Sequence, residues 1–244
     1  MCSKEQMITL PLILSCAYDE RVHVLVLVAG TNQPSNCETL ADAFIAGLGE
    51  EALSAQKLRI ADLAIEHFSL RHYEPGVPEE ADFRLVREAM EGAAGLVIAS
   101  PIWNFGVPAH LKNLIDRCGS FALDRRQSRG KLNGLPLFMI FTGGAPSPAW
   151  RATLRSALSG IALALQYFGA THAGTHFEAR CTPERGRFGL VVHERPKSLQ
   201  HIREKGKRFS RIFRNFGENG SLPPKLASAN ALRSALQKIF GRFL

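Results

Sequence analysis

Apolar and polar positions follow two alternating rhythms along this chain. Val22-His23-Val24-Leu25-Val26-Leu27-Val28 is almost wholly apolar and β-branched, the pattern of a strand buried on both faces of a parallel sheet. The turn-rich stretch from Ala29 to Asn36 follows, and then Leu40, Phe44, Ile45 and Leu48 recur at helical spacing up to a stop at Gly49. Lys57 to Leu63 reads as a second, shorter strand, residues 64–80 as an excursion, and Ala81 to Glu91 as a helix. Gly95 to Ser100 reads as a strand closed by Pro101, residues 102–108 as a loop, and Ala109 to Cys118 as a helix. Polar, basic residues 120–134 connect to a strand from Leu135 to Thr142. One long helix from Ala149 to Phe168 ends at Gly169, and Ala170 to Phe177 makes a fifth strand. Ser198 to Phe216 is a basic amphipathic helix, Gly217 to Pro224 a linker, and Lys225 to Leu244 a last amphipathic helix.

Strands alternating with helices at this spacing predict repeated βαβ units with right-handed crossovers. The expected architecture is α/β: a doubly wound, five-stranded parallel sheet in three α/β/α layers, with a C-terminal helical extension. The chain divides into an N-terminal extension (1–20), a ligand-binding domain (21–216) and a C-terminal amphipathic extension (217–244). Ligands on such sheets sit beyond the C-terminal strand ends, where strand order switches. The loops after strands one, three and four are therefore the places to search.

The first of these, Gly30 to Cys37, lies between a strand end and a helix start, where main-chain N–H groups and the helix dipole attract an anion. Thr31, Gln33, Ser35 and Asn36 add neutral donors suited to a phosphate monoester, although a plain helix cap has the same composition. Neither G-x-x-x-x-G-K-[ST] nor G-x-G-x-x-G is present. The loop after strand three reads Ser100-Pro101-Ile102-Trp103-Asn104-Phe105-Gly106-Val107-Pro108. Its prolines and glycine restrict the backbone, and two aromatics project from it, which suits the edge and face of a planar heterocycle. In Thr142-Gly143-Gly144-Ala145-Pro146, paired glycines permit close backbone approach to a ligand.

These loops, in this order, resemble the NAD(P)H-dependent FMN reductase family of flavodoxin-like proteins, which includes quinone reductases and azoreductases. The most specific match is the P-x-x-N-x-x-x-P-x-x-L-K-N-x-I-D run from Pro101 to Asp116, with Asp62-Leu63 also in keeping. The resemblance implies that Thr31, Gln33, Ser35 and Asn36 hold the FMN phosphate. It places Pro101, Ile102, Trp103, Asn104 and Phe105 along the isoalloxazine, and Thr142, Gly143 and Gly144 on its other side. Many members carry Ser and Arg where this chain has Thr31 and Gln33, and Tyr is common at Trp103. The implied activity is reduction of flavin, quinone, azo or similar small-molecule acceptors by NADH or NADPH, through ping-pong hydride transfer. The flavin carries that chemistry, so no side chain is assigned a catalytic role. The competing reading is a flavin-binding electron carrier or sensor without strong turnover.

Composition adds limits. The net charge of +8 is uneven: eleven basic and two acidic residues lie from Lys197 onward, against nineteen and twenty before it. Basicity confined to an appendage argues against a nucleic-acid partner. The last helix could dock on a partner subunit or lie on an anionic membrane, and the family resemblance, whose members usually dimerise, implies subunit contact in a homodimer or homotetramer. Five scattered cysteines without a C-x-x-C pair argue against disulfides or zinc and for a reducing cytoplasm. His172 and His176 flank Gly174 in a strand, which is no metal spacing, so no metal is assigned. His110 reads as a surface helix position, and Cys37 and Cys118 as small hydrophobes. The apolar run Met7 to Ala17 reads as an extension or extra strand, since a signal-peptide core lacks its basic flank here.

Overall fold

The computed structural model describes residues 23–124, 126, 130–184 and 187–240, with side chains through 232. Residues 1–22, which include Val22 of the first strand pattern and the Met7 to Ala17 run, and the side chains of the last helix beyond Leu232 lie outside the described residues.

Five parallel strands form one sheet in the order β2-β1-β3-β4-β5. They are β1 (His23–Val28), β2 (Ser54–Arg59), β3 (Gly95–Pro101), β4 (Pro136–Thr142) and β5 (Thr171–Glu178). This is the flavodoxin-like order, with its switch between β1 and β3. Val24 to Val28 are each at most 1% exposed, as a strand between two helical layers must be. Leu25 and Leu27 face α2 (Ala81–Glu91) and α3 (Ala109–Ala122), together with α4 (Ser159–Tyr167). Val24, Val26 and Val28 face α1 (Asn36–Gly49) and α5 (Pro196–Asn219). α1 and α5 cross at their backbones: a Cβ on Gly47 would stand 2.0 Å from the Arg203 carbonyl oxygen, and one on Gly206 2.2 Å from that of Phe44.

Several boundaries differ from the periodicity. β2 lies three residues earlier than the apolar run Lys57 to Leu63, and residues 60–62 form a 3₁₀ turn. As an edge strand paired only with β1, β2 is half-exposed and needs few apolar residues. α3 continues past Cys118 because Phe121 and Ala122 are buried too. The stretch 149–168 is not one helix. A π-helical turn, Trp150–Leu154, precedes a short turn and α4. The widened turn accompanies a stack of Trp150 on Phe177, at 4.6 Å and 10°. α5 runs through Gly217 and stops at Gly220, whose φ of 62° is the left-handed cap conformation glycine favours. The connector to α6 (Pro224–Phe240) is therefore shorter than the expected linker.

Candidate active site

β1 and β3 are hydrogen-bonded neighbours whose following helices pack on opposite faces. Their loops diverge around an open cleft beyond the C-terminal ends of the strands. Of the residues singled out in the sequence, Thr31, Ser35, Asn36, Pro101, Ile102, Trp103, Thr142, Gly143 and Gly144 line it.

The wall from residues 30–37 is held by polar contacts. Ser35 caps α1 from an extended conformation, its Oγ accepting from the Glu38 N–H at 3.2 Å. Gly30 allows this turn to close, since a Cβ there would lie 2.5 Å from Ser35 Oγ. The first helical N–H groups of α1 have no partner inside the helix and lie along this wall. The Asn36 carboxamide is fully engaged with main-chain groups of a distant segment. Its oxygen accepts from Val191 N–H (2.9 Å) and Val192 N–H (3.0 Å), and its nitrogen donates to the Gly189 (2.8 Å) and Cys181 (3.3 Å) carbonyls. The Gln33 side chain faces the Arg59 guanidinium outside the cleft.

The opposite wall is a tight turn. Trp103 and Gly106 exchange main-chain hydrogen bonds at 2.9 and 2.8 Å. Asn104 (φ 49°) and Phe105 (φ 65°) between them are both left-handed, as a type I′ turn requires. This geometry carries Asn104 and Phe105 out of the cleft lining, and Phe105 is 70% exposed. Ile102 N–H donates to the Thr142 carbonyl at 2.8 Å, joining this loop to the end of β4. A Cβ on Gly144 would approach Thr182 to 3.2 Å, so glycine lets the turn after β4 pack closely on the stretch after β5.

A fourth segment, after β5, completes the cleft through Cys181, Thr182, Phe188 and Gly189. Sequence patterning missed it because the stretch has no periodic element. Its positions depend on Asn36 and on Arg195, which donates to the Ala179 (2.8 Å) and Arg180 (2.7 Å) carbonyls.

Burial raises the Cys37 thiol and pushes that of Cys181 up to about 12, so both stay protonated and set no charge against an anion in the cleft. Cys118 is likewise pushed to about 12 by burial. His110 does more than occupy a surface: it lies 3.0 Å from the Ala29 carbonyl, and burial lowers its pKa. The neutral ring therefore donates from Nε2 and ties α3 to the end of β1. Elsewhere, Glu66, His72 and Glu80 each bring one ligand atom within 4.8 Å of the others. Glu80 is paired through both oxygens with buried Arg117, and Glu66 with Arg71, so cations of the chain already balance this cluster.

Fold and cleft together define a flavodoxin-like α/β protein with its site at the switch point. The family profile described as NADPH-dependent FMN reductase matches residues 22–175, and the chain belongs to that family. It is accordingly an NAD(P)H- and FMN-dependent oxidoreductase. Among solved structures it is similar to the NAD(P)H:quinone oxidoreductase from Methanothermobacter marburgensis, with TM-score 0.63, 20% identity, and coverage of 78% of this chain and 97% of that one. It is also similar to RosB, solved with 8-demethyl-8-formylriboflavin-5'-phosphate (TM-score 0.62, 17% identity, 87% and 86% coverage). The azoreductase from Bacillus anthracis str. Sterne is a third (TM-score 0.53, 15% identity, 81% and 99% coverage). At these identities the likeness is one of fold. A search of curated proteins by sequence finds no match. Among the described residues no helix is long and apolar enough to cross a membrane.

Proposed function

We propose that the cleft holds FMN and that NAD(P)H and a small planar acceptor, such as a quinone, an azo compound or free flavin, use its open side in turn. The observation that carries this reading is the convergence of three sheet-end turns with Cys181, Thr182, Phe188 and Gly189 on one cleft at the β1/β3 switch point. The residues fit the group. Glycines let the lining turns pack closely on one another, two neutral thiols line the cleft, and α1 begins at its wall.

In this reading Thr31, Ser35 and the first N–H groups of α1 receive the phosphate, while Asn36 holds that wall in place. Pro101, Ile102 and Trp103 line one side of the ring, and Thr142, Gly143 and Gly144 the other. Bound FMN supplies the hydride and electron chemistry that no side chain here possesses. The main chain of the two loops orients the ring edge with dipoles that need no rearrangement. Exposed Trp103 and Phe188 at the mouth offer apolar surface to an incoming flat molecule and exclude water from it.

Absorbance of the purified protein in the flavin bands, and quenching of added FMN fluorescence, test the cofactor site. Steady-state NADPH and NADH oxidation with a quinone tests turnover, and parallel double-reciprocal plots are the expected ping-pong result. Intersecting plots would remove the alternating use of one face. The same proposal includes a homodimer or homotetramer, checked by light scattering on a sizing column. It places the chain in a reducing cytoplasm, which suits the free Cys37, Cys118 and Cys181. Residues 217–244 are assigned to subunit contact. Liposome pelleting with and without them tests that against membrane binding.

A further inference from the structure

The turn that opens the phosphate wall is held from behind by a side chain of another strand. Arg59 ends β2, and its side chain is only 12% exposed. Its Nη2 donates to the Gly30 carbonyl at 3.4 Å. With the Gln33 carboxamide oxygen turned toward the guanidinium, that oxygen accepts from Nε and Nη2, both at 3.0 Å. Arg59 also pairs with Glu38, and with Asp62 at 3.1 Å.

Glu38 is the key to what this arrangement does. It lies in the first turn of α1, where its carboxylate repels any second anion at the same helix end. Arg59 pairs with that carboxylate, and Lys57 reaches its other oxygen at 3.1 Å. One guanidinium thus cancels the adverse charge and fixes the two ends of the Gly30–Gln33 turn.

We propose that Arg59 is the positioning residue that sets the preference of this cleft for a phosphorylated flavin over an unphosphorylated one. It acts through the turn and through Glu38, without lining the cleft itself. This rests on the flavin reading above.

Fluorescence titrations of the full-length protein with FMN and with riboflavin, at low ionic strength, test it. The unaltered chain is expected to bind FMN more tightly. Arg59→Gln weakens FMN binding by about tenfold, the scale of losing charge-assisted hydrogen bonds, and leaves riboflavin within about twofold. Arg59→Lys, which keeps the charge and loses the fork, falls between and covers the case of a poorly folded glutamine variant. Adding Glu38→Gln to Arg59→Gln restores part of the FMN affinity, because the carboxylate left with only Lys57 of that pair of cations is then gone. Equal weakening of both flavins, or no change in either, overturns the proposal. If the unaltered chain quenches neither flavin, the flavin reading itself fails.

Discussion

The wall formed by residues 30–37 and the wall formed by residues 101–108 differ in what holds them. The first depends on partners far along the chain. Asn36 binds main-chain groups of residues 181–192, and Arg59 grips the turn from β2. The second is largely self-contained, a four-residue turn closed by its own main-chain hydrogen bonds and set between Pro101 and Pro108. Its aromatics stand partly in solvent, with Trp103 38% exposed. In the proposed reading, stability and binding are therefore coupled at the wall assigned to the phosphate and separable at the wall assigned to the ring. A charged phosphate needs its donors fixed in advance, whereas a flat ring tolerates small shifts of the side chains against it.

The strongest way to break this comparison is Asn36→Ala. It leaves four main-chain groups without their partner and costs about 3 kcal/mol, a fall in Tm of roughly 6–12 °C for a chain of this size. Flavin affinity drops with it. Thermal melting checks this, and an unchanged melt would show that the 181–192 segment holds itself.

Acid should loosen the same wall next. Burial tends to raise the Glu178 pKa, but the nearby His176 ring and donation from Arg195 and Ser198 outweigh this and draw it down to about 2 from a usual 4.5. A lowered folded-state pKa means the stabilisation is complete above pH 4.5 and disappears as pH falls toward 2. Screening by water cuts its size to on the order of 2 kcal/mol. Glu178→Gln should flatten this acid limb in melts between those values.

Trp103→Ala should act on binding alone. Flavin affinity falls about fivefold, while stability stays within about 0.5 kcal/mol. A Tm loss as large as that of Asn36→Ala would erase the difference between the walls. The smallest effect is expected at Phe105, whose φ of 65° is strained for a bulky side chain. Phe105→Gly should raise stability by up to about 1 kcal/mol, read as a slightly higher Tm.

Much of the fold was legible because its signals are local. The apolar run at residues 22–28 marks a central strand, and the turn-rich stretches after β1, β3 and β4 mark sheet-end loops. β2 was misplaced because an edge strand carries a weak apolar pattern. The helix at 149–168 was drawn unbroken because the Trp150–Phe177 stack leaves no trace in helical periodicity.

The same division runs through the cleft. The chain alone determined which loops meet at the switch point and which of their residues are compact, polar or aromatic, since those properties belong to short windows. Only tertiary structure decided that Gln33, Asn104 and Phe105 stand outside the lining and that the Asn36 side chain serves the wall. It also decided that Cys181, Thr182, Phe188 and Gly189 complete the cleft and that Arg59 backs it. Asn36 and its partners lie 145 to 156 positions apart, and no local pattern encodes a contact made only when the sheet brings distant strand ends together.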